Sequence, residues 1–258
     1  MDITNIEKAQ GHWILAKMGK RVLRPGGWEL TQKLIDSLQI ESKDKIVEFA
    51  PGMGKTATIL IEKNPQTYTG IDADEQAVAR LKQKFNKENT EFLIANAAQT
   101  PLENASVDKV VGEAMLTMQA EHRKAEIIRE AHRILKSGGL YGIHELSLRP
   151  DNLPEEIKSE IKRELATSIH VNARPLTVEE WRELLKSQGF KIKQVKTNEM
   201  LLLETKRMVE DEGFFRALKI GFNILTHPKA KKRILNMRSV FRKYSEHMSS
   251  IMIIAEKI

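Results

Sequence analysis

The chain contains no cysteine, and this absence removes several kinds of site at once. Without thiols there is no disulfide framework, no thiolate metal site and no cysteine nucleophile. A mechanism that holds a soft metalloid on protein thiolates is excluded for the same reason. The seven histidines are scattered, without a close pair on one helical face, so the sequence predicts no metal site.

Long apolar runs are also missing. No stretch approaches the roughly 20 apolar residues that a membrane-spanning helix needs. The first residues lack the charged start and apolar stretch of a secretory signal, so we expect a cytoplasmic protein. The apolar fraction of 41% over 258 residues is enough to build the core of one large domain.

The net charge of +7 is concentrated in one segment. Between residues 205 and 250, eleven lysines and arginines stand against four acidic residues, an excess of +7. A uniformly basic protein would indicate a general nucleic-acid binder, whereas here the basic surface is local. The segment could pack an apolar stripe on the core, contact an anionic membrane surface, or hold RNA through phosphates.

Apolar runs alternate with helical patterns along most of the chain. Repeated strand–helix units predict a parallel sheet with helices on both faces. The pattern is interrupted by a proline-containing segment, 147–175, and by the mainly helical basic segment. The predicted strands span residues 45–50, 68–72, 91–96, 108–115, 140–146, 190–203 and 250–256.

The stretch 45–57 joins the first predicted strand to a Gly-x-Gly turn and a helix. Close glycines let backbone approach a ligand, and the helix N-terminus offers free N–H groups. A phosphate-binding P-loop would need glycine where Phe49 stands. A dinucleotide site, an S-adenosylmethionine (SAM) site and a turn without ligand remain. Glu48 favours SAM, because a carboxylate repels pyrophosphate but attracts an amino group and a sulfonium.

Four regions in order resemble the class I SAM-dependent methyltransferases, especially the small-molecule branch that includes ubiquinone and menaquinone methyltransferases. The resemblance covers roughly residues 30–204 and 251–258. Several such regions at natural spacing are specific for the family, although they say little about the methyl acceptor. The four regions are 47–54, 70–74, 96–111 and 133–140.

The resemblance implies a doubly wound, Rossmann-like α/β fold. Its sheet would have seven mostly parallel strands, an antiparallel last strand supplied by 251–258, and helical cap insertions. One domain would span residues 1–258, and its parts would be an N-terminal lid at 1–30, a core at 31–204 plus 251–258, and cap insertions at 147–175 and 205–250.

The resemblance also implies which residues hold the cofactor. Asp72 would accept hydrogen bonds from the ribose, and Asn96 would stand where an acid commonly receives the adenine amino group. Ala50 replaces a glycine, which costs little if its φ is ordinary. The full set of expected cofactor residues is Glu48, Ala50, Pro51, Gly52, Gly54, Asp72, Ala73, Asn96, Ala97 and Glu113.

Methyl transfer needs mainly alignment of a nucleophile with the S–CH₃ bond, and a base only if the nucleophile carries a proton. His144 and Glu145 are neighbours on a strand, so only one should face the cleft. Trp28 would stack on a ligand or pack into the sheet. The catalytic candidates are Glu113, His144, Glu145 and His170. The substrate candidates are His12, Trp13, His144 and His170.

The predicted function is SAM-dependent methyl transfer to a small-molecule acceptor at O, N, S or C. The sequence 112–115 replaces the Asn-Pro-Pro-Tyr motif, which disfavours amino methylation of nucleic-acid bases. Alternatives are an RNA methyltransferase that uses the segment 205–250, an NAD(P)-binding oxidoreductase, and a SAM-fold module without catalysis. The oligomeric state stays open.

Overall fold

The computed structural model describes residue 6 and residues 8–258. The remaining residues of the predicted N-terminal lid, 1–5 and 7, lie outside the described residues. In the described part of the chain the strands are β1 (Lys45–Phe49), β2 (Thr67–Asp72), β3 (Thr90–Ile94), β4 (Val107–Glu113), β5 (Leu135–Leu148), β6 (Leu176–Thr177), β7 (Phe190–Glu199) and β8 (Met248–Lys257). The helices are α1 (Gly11–Lys17), α2 (Gly27–Ser37), α3 (Lys55–Glu62), α4 (Glu75–Lys84), α5 (Glu121–Ile134), α6 (Glu155–Ile169), α7 (Val178–Ser187), α8 (Thr205–Glu212), α9 (Phe214–Thr226) and α10 (Pro228–Lys243).

One sheet runs through the molecule in the order β3-β2-β1-β4-β5-β8-β7, with β6 paired to β5. Strands β1 to β5 pair in parallel, and β8 is antiparallel to both β5 and β7. The predicted Rossmann-like fold with an antiparallel last strand is therefore confirmed. The sheet has eight strands in the described chain, one more than predicted, because the two-residue β6 adds to β5.

The start of β5 differs from the sequence expectation. The glycines at 138 and 139 predicted a loop before a strand at 140, whereas β5 begins at Leu135, directly after α5. Leu135 pairs with Val107, and the register shifts before Lys109 pairs with Leu140. The glycines therefore lie within an irregular strand, because the backbone on both sides of them pairs with β4.

Alternation along the strands fills two layers of core. Along β1, Val47 and Phe49 pack against one group that includes Trp181, while Ile46 packs on the other face with Leu34. Adjacent side chains of a strand point to opposite faces, so a continuous apolar run buries both. Because β1 pairs in parallel with β2 and β4, the carboxyl ends of these strands meet at one edge of the sheet. Parallel sheets bind ligands at this edge.

A third apolar cluster joins α1, α6 and α10 above that edge, with Leu15, Leu165 and Met237 among its members. The chain after α1 is fixed to α8. The carboxylate of Glu212 accepts hydrogen bonds from the backbone N–H groups of Arg21 and Val22 at 2.6 and 2.8 Å. No helix in the described chain is both long and apolar enough to cross a membrane.

Candidate active site

A cleft of about 500 Å³ lies at the carboxyl ends of β1, β2 and β4. Nine of the ten expected cofactor residues line it, whereas Gly54 does not. A Cβ at Gly54 would come within 2.5 Å of the Leu81 side chain, so this glycine allows α4 to pack closely against the turn. The nine lining residues are Glu48, Ala50, Pro51, Gly52, Asp72, Ala73, Asn96, Ala97 and Glu113.

The turn after β1 is strained at a residue that is not glycine. Ala50 has a φ of 54°, in the left-handed region, and its N–H donates to the carbonyl of Ile71 at 2.7 Å. The condition under which alanine would cost little here, an ordinary φ, is therefore not met. An L-residue pays roughly 1–2 kcal/mol for this conformation, which the Ile71 hydrogen bond and the surrounding sheet must offset.

Asp72 ends β2 and holds the turn in place from below. Its Oδ2 accepts a hydrogen bond from the N–H of Gly52 at 3.1 Å, and its Oδ1 accepts one from Asp74 at 3.0 Å. A carboxylate has about four acceptor positions, so capacity remains for ligand hydroxyls. Asn96 is similar, since its Oδ1 accepts from the N–H of Ala98 at 3.0 Å and retains a lone pair.

Glu48 is buried, and its protonation state differs from what its position in the sequence suggests. Burial raises the pKa of Glu48 to about 8, against the opposing effect of the Tyr68 hydroxyl, which donates to Oε2 at 2.5 Å. The group is thus mostly neutral at pH 7 in the free protein. It attracts a cationic ligand only after losing its proton.

Arg24 is the centre of a buried polar network that reaches the cleft. Its Nη1 donates at 2.6 Å to Oε2 of Glu113 and at 2.6 Å to the Thr56 hydroxyl. Thr56 also donates to Glu113, and Thr31 donates to its Oε1 at 2.6 Å. Burial alone would raise the pKa of Glu113, but the Arg24 charge and the His144 hydrogen bond outweigh it and lower the pKa to about 2. Glu113 is therefore a carboxylate at neutral pH.

Two further donors of Arg24 are left without a partner in the described part of the chain. Its Nε and Nη2 are buried and have no hydrogen-bond partner among the described residues, and the side chain lines the cleft. A buried donor without a partner is costly, so an anionic group of a bound molecule would satisfy both.

The predicted catalytic candidates are dispersed. His144 is fully buried, and its Nδ1 lies 2.8 Å from Oε1 of Glu113, within the Arg24 network. Glu145 points to the other face, as alternation requires. His170 ends α6 in a left-handed conformation and lies outside the described lining of the cleft and of the apolar cavity beside it. Neither of these two histidines is in position to contact an acceptor in the cleft.

Glu145 supports the loop that follows β4. Its carboxylate accepts hydrogen bonds from the backbone N–H groups of Met115, Leu116 and Thr117 at 2.8–3.0 Å. Burial raises the pKa of Glu145 despite these donors. With its oxygens engaged in this way, the side chain positions the loop that forms part of the cleft.

A second cavity, of about 80 Å³, adjoins the cleft. It is largely apolar, and most of its lining comes from α1, α6, α10 and the chain after β7. Its polar members include His12, Thr117 and Glu145. Cleft and cavity share four lining residues, so the two spaces lie side by side. The shared residues are His12, Leu23, Ala114 and Met118.

The predicted lid residues divide between the ligand sites and the surface. His12 borders both spaces, and its ring lies 4.7 Å from that of Trp13, which lines the cleft. Burial lowers the pKa of His12. Trp28 lies outside the described lining, and the Lys55 ammonium sits 4.5 Å from its ring. Trp28 therefore packs against cations and not in the cleft.

Sequence reasoning missed Arg24, Thr31 and Thr56. A single arginine before a Pro-Gly-Gly turn carries no periodicity or motif, and its partners are up to 89 positions away. No group of three or more metal-ligating side chains occurs among residue 6 and residues 8–258.

Comparison with known proteins places this site. The family described as "Methyltransferase domain" matches residues 47–143. An uncharacterised protein from Haemophilus influenzae is 35% identical over 227 residues, covering 86% of this chain and 87% of that protein. The 27-O-demethylrifamycin SV methyltransferase of Amycolatopsis mediterranei is 25% identical over 164 residues, covering 62% of this chain and 58% of that protein.

The chain belongs to the class I SAM-dependent methyltransferases. Among solved structures, the [4+2]-cyclase SpnF superposes with a TM-score of 0.71 at 18% identity, covering 95% of this methyltransferase and 92% of the cyclase. That likeness concerns the fold alone. The protein is an enzyme with SAM as its cofactor, and the alternatives of an RNA methyltransferase and an NAD(P)-dependent oxidoreductase are not favoured.

Proposed function

We propose that the enzyme methylates a small, largely apolar molecule that lies in the second cavity with its reacting atom at the His12 end. The observation that carries this proposal is that the cavity adjoins the cofactor cleft, with four residues lining both spaces. An apolar cavity with few polar groups favours an acceptor of matching character. The relative named for 27-O-demethylrifamycin SV supports an oxygen nucleophile.

The arrangement of the cleft supports assignments for the parts of SAM. Asp72 accepts from the ribose hydroxyls, and Asn96 and Ala97 lie where adenine is expected. The unpartnered N–H groups of Arg24 bind the carboxylate of the methionine part, because a guanidinium pairs well with a carboxylate. Glu48 accepts from the amino group after it loses its proton.

SAM binding should be linked to proton release from Glu48. In the free enzyme burial holds the pKa of Glu48 at about 8, and a cationic ligand lowers it, so binding at pH 7 should release about one proton. Calorimetry in buffers of different ionisation enthalpy measures this number. Glu48→Gln should abolish the release, whereas Glu62→Gln, at the exposed end of α3, should not. Equal apparent enthalpies in all buffers for the unmodified enzyme would contradict the assignment.

His12 is the side chain best placed to contact the reacting atom. A neutral imidazole can take a proton from a hydroxyl as the methyl group arrives, and burial keeps His12 neutral at pH 7 by lowering its pKa. Among the other candidates, Glu113 lines the cleft and Glu145 lines the second cavity, but Arg24 and the loop after β4 engage their carboxylates. His144 and His170 line neither space, and all four stay predictions.

The role of His12 can be tested through its pH dependence. Because its pKa lies below the ordinary value of 6.5, activity should fall only below that pH. His12→Gln should lower kcat by on the order of 100-fold and remove the acid limb. His122→Gln, on the exposed start of α5, should leave both unchanged. A His12→Gln enzyme that keeps the acid limb would show that another group titrates.

A screen with methyl-labelled SAM tests the acceptor class. Phenols, hydroxylated polyketides and quinols should accept label, and Leu165→Arg or Met237→Arg in the cavity should reduce transfer without loss of SAM binding. Transfer confined to charged amines or to RNA would refute an apolar acceptor. Calorimetry with SAM, S-adenosylhomocysteine and NADH checks cofactor choice separately. The cytoplasmic location and the single-domain division of the chain stay predictions.

A further inference from the structure

Helix α9 exposes an unusual amount of apolar surface. Five of its large apolar side chains are more than half exposed, and Phe215 reaches 85%. Single exposed apolar residues are ordinary, but a contiguous exposed group marks an interaction site. The five are Phe214, Phe215, Leu218, Phe222 and Leu225.

The helix geometry gathers these side chains on one side. At about 100° per residue, they fall within an arc of roughly 100°. The opposite side is fixed to the lid. The Asn223 amide donates to the carbonyl of Met18 at 2.9 Å, Arg216 donates to Gly19 at 3.1 Å, and Ile220 is buried. The orientation of α9 is therefore set by its inner side, and its apolar side is left facing outward.

Exposed positive charge accompanies this apolar face on α9 and on the helix that follows it. Lys219 lies at its border on the helix, and Lys231 and Lys232 are exposed at the start of α10. Other cations of the same segment are engaged elsewhere, since Arg238 and Arg242 both pair with Glu204. Lys219, Lys231 and Lys232 thus leave positive charge on α9 itself and at the start of α10.

We infer that α9 docks on the surface of an anionic lipid bilayer. The five apolar side chains enter the boundary between headgroups and acyl chains, and the lysines contact lipid phosphates. A second copy of this chain fits less well, because two basic surfaces would face each other. RNA would satisfy the lysines but leave the apolar face in water. The inference does not depend on the identity of the methyl acceptor.

Vesicle flotation tests the docking with the full-length enzyme. It should bind vesicles containing equal parts of phosphatidylglycerol and phosphatidylcholine and bind phosphatidylcholine alone much more weakly. Phe215→Gln combined with Phe222→Gln should reduce the vesicle partition coefficient by on the order of 100-fold. Lys231→Gln combined with Lys232→Gln should reduce it by about tenfold.

Two matched controls separate docking from general effects. Ile258→Gln removes an exposed apolar side chain elsewhere, and Lys82→Gln with Lys87→Gln removes the same charge from α4 and the loop after it. Both should bind vesicles like the unmodified enzyme. Calorimetric SAM binding should be unchanged in all variants, which shows that they fold and that docking is distinct from the methyl-transfer site.

Several results would overturn the inference. One is vesicle binding that is lost when the two lysines are replaced but unchanged when the two phenylalanines are replaced. That result would indicate electrostatic attraction to the surface without insertion. Another is failure to float with any vesicle. A third is the absence of vesicle binding together with a dimer, seen by analytical ultracentrifugation, that dissociates when Phe215 and Phe222 are both replaced by Gln. Retention on RNA that depends on the lysines, without vesicle binding, would equally exclude a lipid surface.

Discussion

Asp72→Ala should weaken SAM binding by on the order of 100-fold, because the two charge-assisted hydrogen bonds proposed for the ribose would be lost. The substitution also removes the acceptor for the N–H of Gly52, so the turn that borders the cofactor loses its support. Isothermal calorimetry measures the affinity, and circular dichroism checks that the enzyme remains folded.

Asp36→Ala is the matched control, because Asp36 is exposed on α2 away from the cleft. Its affinity for SAM should equal that of the unmodified enzyme. The affinity of Asp72→Asn for SAM should lie between those of Asp72→Ala and the unmodified enzyme, since an amide keeps one acceptor oxygen but loses the charge. If Asp72→Ala retained full affinity, the ribose would have to be held elsewhere.

Arg24→Met should lower the free energy of unfolding by about 3–5 kcal/mol, because it leaves the buried Glu113 carboxylate without its guanidinium partner. It should also weaken SAM binding through loss of the donors to the methionine carboxylate. Urea unfolding measures the first effect and calorimetry the second. Arg163→Met, at an exposed position of α6, should change stability by less than about 0.5 kcal/mol.

The pH dependence gives a second test of the same pair. The lowered pKa of Glu113 means that its pairing stabilises the fold above the unfolded-state value, near 4.3, and that this contribution is lost as pH falls towards about 2. The stability difference between Arg24→Met and the unmodified enzyme should therefore shrink below pH 5. Arg24→Met combined with Glu113→Gln should recover part of the loss. A difference independent of pH and of Glu113 would exclude the pair as its origin.

The fold was predictable because its signals are local and repeated. Ile46, Val47 and Phe49 give the first strand its apolar character. Gly52 and Gly54 mark the turn that follows, and Asp72 ends the next strand. Parallel strands bring their carboxyl ends together, so residues that follow different strands are expected to meet. This reasoning placed nine of the ten cofactor candidates on the cleft.

The acceptor site was harder to predict from the sequence, because its residues come from segments that are far apart along the chain. The sequence provided only weak grounds for choosing His12 as a substrate residue. A single histidine in an amphipathic helix comes with no motif that would identify residues acting with it. His144 was also a candidate, but alternation along β5 turns it towards Glu113 and Arg24. The sequence also could not show that Ala50 adopts a left-handed φ, which depends on the hydrogen bond to Ile71.

The separation of the two ligand spaces affects how this enzyme can be modified. Asp72, Asn96 and Glu48 belong to the sheet and its loops, whereas α1, α6 and α10 supply seven of the 17 residues that line the apolar cavity. Substitutions at cavity positions such as Leu165 or Met237 can thus alter the size and shape of the space available to an acceptor, while the binding site of the methyl donor stays unchanged. The enzyme is accordingly a suitable starting point for directed evolution towards new acceptors, with mutagenesis confined to the helices of the cap.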